Sequence, residues 1–141
     1  VVPEGTAYQD ILDYVGVKGE LGKVVAGGAM MGPAVENLSY PTTKTTSGLI
    51  MLSNVAAQPP QVNPCIRCGR CVEYCPMGLE PVEVNQAYAA RDVQELGKLH
   101  VDYCFNCGSC TFVCPAKRPC TQMMGLAKAF YLGEIKKGGN K

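Results

Sequence analysis

Tryptophan is absent from this 141-residue chain, histidine occurs once (His100), and neither sign of charge dominates. With 13 Lys and Arg against 12 Asp and Glu, the formal net charge is +1. That balance excludes the basic stripe through which a protein binds nucleic acid. A long apolar run is missing too. The longest weakly polar stretch, residues 24–35, is interrupted by Pro33 and falls well short of the about 20 residues that cross a bilayer. No basic segment leading into an apolar one marks a secretory signal, and the opening Val1-Val2-Pro3, without Met, reads as a cut from something longer. Gly27-Gly28-x-x-x-Gly32 has neither the order of a dinucleotide fingerprint nor the Lys and Ser/Thr of a phosphate loop,.

Cysteine is missing from the first 64 residues and then occurs nine times between Cys65 and Cys120. This asymmetry divides a chain whose 47% apolar and 18% charged residues otherwise describe an ordinary soluble globular protein. In the cysteine-free part, residues 1–58 read as a small α+β unit. Tyr8, Ile11, Leu12 and Val15 give one apolar helix face, Thr6-x-x-Gln9 fits a capping box and Gly16 a stop,. Residues 23–26 and 49–52 read as short buried strands bounded by Gly, Ser and Asn,. Residues 59–64 form a linker in which Pro59, Pro60 and Pro64 remove backbone donors,. Residues 65–141 alternate cysteine loops with helices. Pro81 starts one that runs to about Ala90, Asp92-x-x-Glu95 caps a second closed by Gly97, and Pro119 starts a third with Met123, Ala127, Phe130 and Ile135 on one face,.

The cysteines form an internal repeat. Cys65-x-x-Cys68-x-x-Cys71-x-x-x-Cys75-Pro76 recurs as Cys104-x-x-Cys107-x-x-Cys110-x-x-x-Cys114-Pro115, with Gly69 and Gly108 in register. This is the spacing that holds a [4Fe–4S] cube, and in two-cluster proteins the fourth cysteine of each run ligates the other cluster. Cluster 1 is thereby assigned to Cys65, Cys68, Cys71 and Cys114, and cluster 2 to Cys104, Cys107, Cys110 and Cys75. The competing readings are weaker. Structural zinc uses well-separated cysteine pairs or histidines, a disulfide framework needs an oxidising compartment that nothing here signals, and a Rieske centre needs two histidines. Arg67, Arg70, Lys117 and Arg118 lie within the motifs and are candidates to offset the clusters' negative charge, although a motif cation is more commonly just a solvated side chain. Cys120 reads as a small apolar packing residue, His100 as hydrogen-bonded or exposed, and Met123 and Met124 as core or interface.

From Cys65 to Pro81, and again from Cys104 to Pro119, the chain resembles the C subunit of the Rnf electron-transport complex. Val2-Pro3-Glu4-Gly5-Thr6, Gly27-Gly28-Ala29-Met30-Met31-Gly32 and Pro41-Thr42-Thr43-Lys44-Thr45-Thr46-Ser47-Gly48 are similar to that family's soluble-ligand-binding β-grasp domain. The resemblance covers essentially the whole chain. It implies an α+β fold: a partial β-grasp (ubiquitin-like) unit over 1–58, the linker 59–64, and a mainly α-helical ferredoxin-type domain with two [4Fe–4S] clusters over 65–141. It also implies an electron relay in a membrane-associated ferredoxin:NAD oxidoreductase that translocates ions. FMN and NADH would bind an upstream Rossmann-like domain absent from this chain. The implied partners are other Rnf subunits, among them an iron–sulfur protein of ferredoxin type, with ferredoxin reached indirectly and the membrane only through partners, on the cytoplasmic side of the bacterial inner membrane. The β-grasp part is expected to be a scaffold. The alternatives are the electron-relay part of a microcompartment cobalamin reductase, which has the same domain order, and a structural module without redox turnover.

Overall fold

The computed structural model describes residues 1–138, which divide into two compact units between Pro59 and Pro60. The unit boundary thus falls inside the proline run. The architecture is mixed: the described residues form one two-stranded sheet and seven α-helices, several of them a single turn.

In the first unit, helix α1 (Tyr8–Val15) ends on Gly16 in the left-handed region, whose N–H caps Leu12. Its start differs from the sequence expectation. Ala7 is the N-cap and no side chain caps the helix, because the Thr6 hydroxyl donates to the Pro3 carbonyl instead. The apolar face is also narrower than expected: Tyr8 and Leu12 are buried, whereas Val15 is exposed. Strands β1 (Leu21–Ala26) and β2 (Leu49–Ser53) pair antiparallel, Val24 opposite Met51 and Ala26 opposite Leu49, with an irregularity between Leu21 and Lys23. Gly22 sits at that irregularity because a Cβ there would lie 2.7 Å from the Asn54 backbone. The chain then enters helix α2 (Asn54–Ala57), capped by the Ser53 hydroxyl.

The second unit has one core. Short helix α3 (Arg70–Glu73) follows the first cysteine loop. Helix α4 (Pro81–Ala89) begins with Pro at its first turn, where a missing N–H costs nothing,. Helix α5 (Val93–Lys98) is capped by the Asp92 carboxylate, which accepts from the Glu95 N–H at 2.9 Å. It continues through Gly97, which does not close it; a Cβ at Gly97 would meet the Tyr131 ring at 3.0–3.4 Å. A 3-10 turn (Val101–Tyr103) and short helix α6 (Ser109–Phe112) come next. These single turns carry no periodic signal. The long helix α7 (Cys120–Gly138) follows the second cysteine run. Its buried face is set by Cys120, Met124 and Ala127, with Tyr131 half-buried in line. Met124 rather than Met123 thus enters the core, and Ile135 is exposed. Helices α4, α5 and α7 close over Val84, Leu96, Val101 and Met124, and Tyr88 meets Phe130 edge to face at 5.9 Å.

Leu96 is fully buried, so Leu96→Ala lowers the unfolding free energy of this unit by about 2–5 kcal/mol. Asp92→Ala, which removes only a cap, costs about 1 kcal/mol. Urea unfolding of the intact chain followed by helical circular dichroism measures both; equal losses would contradict this account of the core.

Candidate metal centre

The two cysteine runs fold alike because their backbones repeat, residue for residue, at a spacing of 39 positions. Arg67 and Asn106, one residue before the second cysteine, are left-handed at φ 52° and 56°. Gly69 and Gly108, one residue after it, are left-handed at φ 76° and 90° and cap α3 and α6. Two left-handed residues around one cysteine coil the loop so that three sulfurs face inward. Glycine supplies one of them without the steric cost of a Cβ; Arg67 and Asn106 bear that cost. The turn after the fourth cysteine repeats too. Gly78 and Lys117 are left-handed, and their N–H groups donate to the carbonyls of Cys75 and Cys114 at 3.0 and 3.1 Å.

This geometry carries each fourth sulfur away from its own loop. Cys65, Cys68, Cys71 and Cys114 line one cavity of about 230 Å³, together with Arg70, Arg118, Asn85 and Cys120. Cys75, Cys104, Cys107 and Cys110 line a second, together with Pro81, Thr121 and Met124. The second holds only about 20 Å³, roughly the room of one water, so its walls must part to take in anything larger. All nine cysteines are free thiols. Cys65 and Cys68 are exposed, Cys71 and Cys110 buried, and Cys75, Cys104, Cys107 and Cys114 half-buried.

The sulfurs already have polar neighbours. The Arg67 N–H donates to Cys65 Sγ at 3.4 Å and the Leu79 N–H to Cys75 Sγ at 3.3 Å. The Cys104 and Cys107 thiols donate to Asn106 Oδ1 and Ser109 Oγ at 3.5 and 3.4 Å, and Cys110 Sγ lies 3.4 Å from Thr121 Oγ1. Burial raises the Cys71 and Cys110 pKa values above the ordinary thiol value, and neighbouring cysteines raise both further. At Cys110 the Thr121 hydroxyl works against that rise. Such thiols keep their protons until a cation displaces them, so metal loading here releases protons.

The donor set fits an iron–sulfur cluster in kind. Among the described residues no three His, Cys, Asp or Glu side chains converge on a point that would hold one ion. A single zinc needs four donors at about 2.0–2.3 Å from one centre; sulfurs spread around a cavity wall suit a group of several atoms. Asn85 Oδ1 is a further sign, since it is buried without a hydrogen-bond partner beside the larger cavity. With its amide turned over, Asn85 offers N–H donors to an anionic sulfur group.

The remaining sequence candidates fall as follows. Cys120 packs in the core and also lines the larger cavity. Its counterpart 39 positions earlier is Pro81, which lines the smaller one. His100 lines neither cavity and stacks on Tyr103 with ring centroids 5.4 Å apart. Asn85, Ser109 and Thr121 do not stand out in the sequence; laying one cysteine run over the other would have drawn attention to the helix starts where Asn85 and Thr121 lie.

Residues 64–117 match the family model of a 4Fe-4S dicluster domain. Among curated proteins, the chain is 37% identical over 96 residues to the C subunit of the ion-translocating oxidoreductase complex of Rhodobacter capsulatus, a match covering 67% of this chain and 18% of that protein. It is 42% identical over 78 residues to the C subunit of the proton-translocating ferredoxin:NAD(+) oxidoreductase complex of Clostridium ljungdahlii, covering 55% of this chain and 17% of the relative. It is 36% identical over 90 residues to the C subunit of the Na(+)-translocating counterpart in Acetobacterium woodii, covering 63% and 20%. The chain therefore spans no more than a fifth of the length of these relatives.

Burial pushes the Cys120 pKa up to about 12, with Cys114 the next contributor. At pH 8, four units lower, about one molecule in 10⁴ carries the reactive thiolate. Iodoacetamide at pH 8 leaves Cys120 unmodified in the folded protein and alkylates it after denaturation, as peptide mass spectrometry will read. Rapid labelling of the native protein would contradict the packing role.

Proposed function

From its kinship with the C subunit of the Rnf electron-transport complex, we propose that this chain is the electron-relay portion of an ion-translocating ferredoxin:NAD oxidoreductase. The carrying observation is the interlacing of the two cysteine runs: each cavity is lined by three sulfurs of one run and the fourth of the other. We assign Cys65, Cys68, Cys71 and Cys114 to one [4Fe–4S] cluster and Cys104, Cys107, Cys110 and Cys75 to the other. When bound, such clusters supply one-electron carriers whose potentials answer to charge, hydrogen bonding and solvent around them.

The chain's own residues do the rest. The paired left-handed positions fix three sulfurs per loop, and the turns at Gly78 and Lys117 deliver the fourth across to the other loop. Each crossing ties the two loops together, which supports holding the carriers at a short, fixed separation. Around the loops, Ile66, Tyr74, Phe105 and Phe112 expose their apolar side chains, a surface suited to a protein partner. We read that partner as another member of the complex that carries iron–sulfur clusters. FMN and NADH belong, in this reading, to a domain outside this chain, and residues 1–58 form a partial β-grasp scaffold. No helix among the described residues is long and apolar enough to cross a membrane, in keeping with attachment to the membrane complex through partners.

Anaerobically prepared protein should contain roughly eight iron and eight acid-labile sulfide per chain, with a paramagnetic signal after dithionite. Cys75→Ser should remove about half of the iron and perturb the cluster that Cys107→Ser perturbs, leaving the one sensitive to Cys68→Ser intact. Loss of the Cys68-dependent cluster from Cys75→Ser would refute the interlaced assignment, and a colourless protein would refute the function.

A further inference from the structure

The interlacing has an electrostatic result. The motif cations do not repeat: Arg67 corresponds to Asn106, Arg70 to Ser109, Lys117 to Gly78 and Arg118 to Leu79. Arg67 and Arg70 belong to the first cysteine loop. Lys117 and Arg118 follow Cys114, whose sulfur crosses to the first loop's cavity. Crossing thus brings one cation of each pair to one site. Arg70 and Arg118 line the larger cavity, and among the described residues neither forms an ion pair. The smaller cavity is lined by no charged residue.

We infer that the two sites are unequal by construction, and that the site of Cys65, Cys68, Cys71 and Cys114 takes the first electron. This rests on the two-cluster reading above. A cluster held by these cysteines would take up one electron from dithionite, with no bond made or broken in the protein, and the site would gain one negative charge. Arg70 and Arg118 favour the more negative form directly. Water acts in the same direction, since Cys65 and Cys68 are exposed whereas the other loop's three cysteines are half-buried or buried.

The opposing groups are weaker. Ser109 Oγ accepts from the Cys107 thiol and Thr121 Oγ1 lies 3.4 Å from Cys110 Sγ; these are dipoles, not full charges. Lys128 is the cation tied to the second loop, but its ammonium donates to the Cys104 carbonyl at 2.7 Å and does not line the cavity. Glu73, beyond the first loop, is exposed, where solvent screens it. Arg67 and Lys117 are exposed and line neither cavity; Arg70 is exposed too but lines the cavity, and Arg118, half-buried in its wall, is the least screened of the four and carries most of the asymmetry,.

The test is an anaerobic redox titration of the whole cluster-loaded chain, followed by electron paramagnetic resonance. Cys68→Ser should abolish or shift the signal that appears first, and Cys107→Ser the one that appears second. The double variant Arg70→Gln/Arg118→Gln should make the first site about tenfold harder to reduce, a fall of about 59 mV for a one-electron couple, and leave the second within a third of that. Ser109→Arg, which adds a cation to the other loop, should raise the second midpoint. Two clusters reduced in the opposite order, or midpoints unmoved by the arginine substitutions, overturn this inference and leave the relay standing. Fewer than two clusters per chain overturns both.

Discussion

Each cysteine loop shares its cavity with the fourth cysteine of the other run. The turn after Cys75 and the turn after Cys114 each place a cysteine of one run in the wall of the other's cavity, which couples the folding of the two loops. The helices follow from this. Helices α4 and α7 start directly beyond these turns, pack on each other and on α5, and bury Val84, Leu96 and Met124 between them. A hydrophobic core this small would be marginal alone. It gains from being nailed at both cysteine runs, because metal binding free energy in such sites is also folding free energy.

The symmetry of the arrangement is one of backbone more than of side chains. Residues 67, 69 and 78 share left-handed conformations with 106, 108 and 117, and the short helices α3 and α6 coincide under the same displacement. The occupants differ. Gly69 and Gly108 are glycine in both copies, Arg67 and Asn106 in neither, and Lys117 answers Gly78. A non-glycine residue in the left-handed region is strained, and holding several of them shows that the surrounding turns over-determine the path.

The grouping of the eight cysteines around two cavities was legible because their spacing is a local, discrete pattern in two copies, each with glycine after its second cysteine. The helix starts at Pro81 and Asp92 were legible for the same reason, since a proline at the first turn and a carboxylate cap act within three or four residues. What escaped depended on tertiary context. Thr6 and Gln9 spell a capping box, yet the Thr6 hydroxyl is taken by Pro3. On the last helix Ala127 and Phe130 lie on the packed face as expected, but Met124 takes the core place given to Met123 and Ile135 is exposed, because both methionines are apolar and the sequence does not say which turns inward. Gly125 looks like a weakness in a helix, but the helix is held by its packing, and a Cβ there would come into contact with the Asn106 amide of the second cysteine loop at 3.4 Å. In residues 1–58 the expected strands 23–26 and 49–52 fall within β1 and β2, but of the two strands only Val24 is buried, because a sheet of two strands leaves most of its side chains uncovered.

Cys120 shows how far chemistry alone can mislead. It is a fifth sulfur at the wall of the larger cavity, and donor counting would admit it as a ligand. Three observations place it elsewhere. Its counterpart is Pro81, so the same position at the other cavity works without a donor. It opens α7 and is buried to 4% exposure against the core of helices. And it is the most deeply protonated of the thiols with a resolved shift, because burial withholds the water that would solvate a thiolate. A sulfur that packs well in its protonated form is poorly placed to bind metal,. Chemically identical side chains thus stand in different surroundings, and where the helices start decides which of them is packed away.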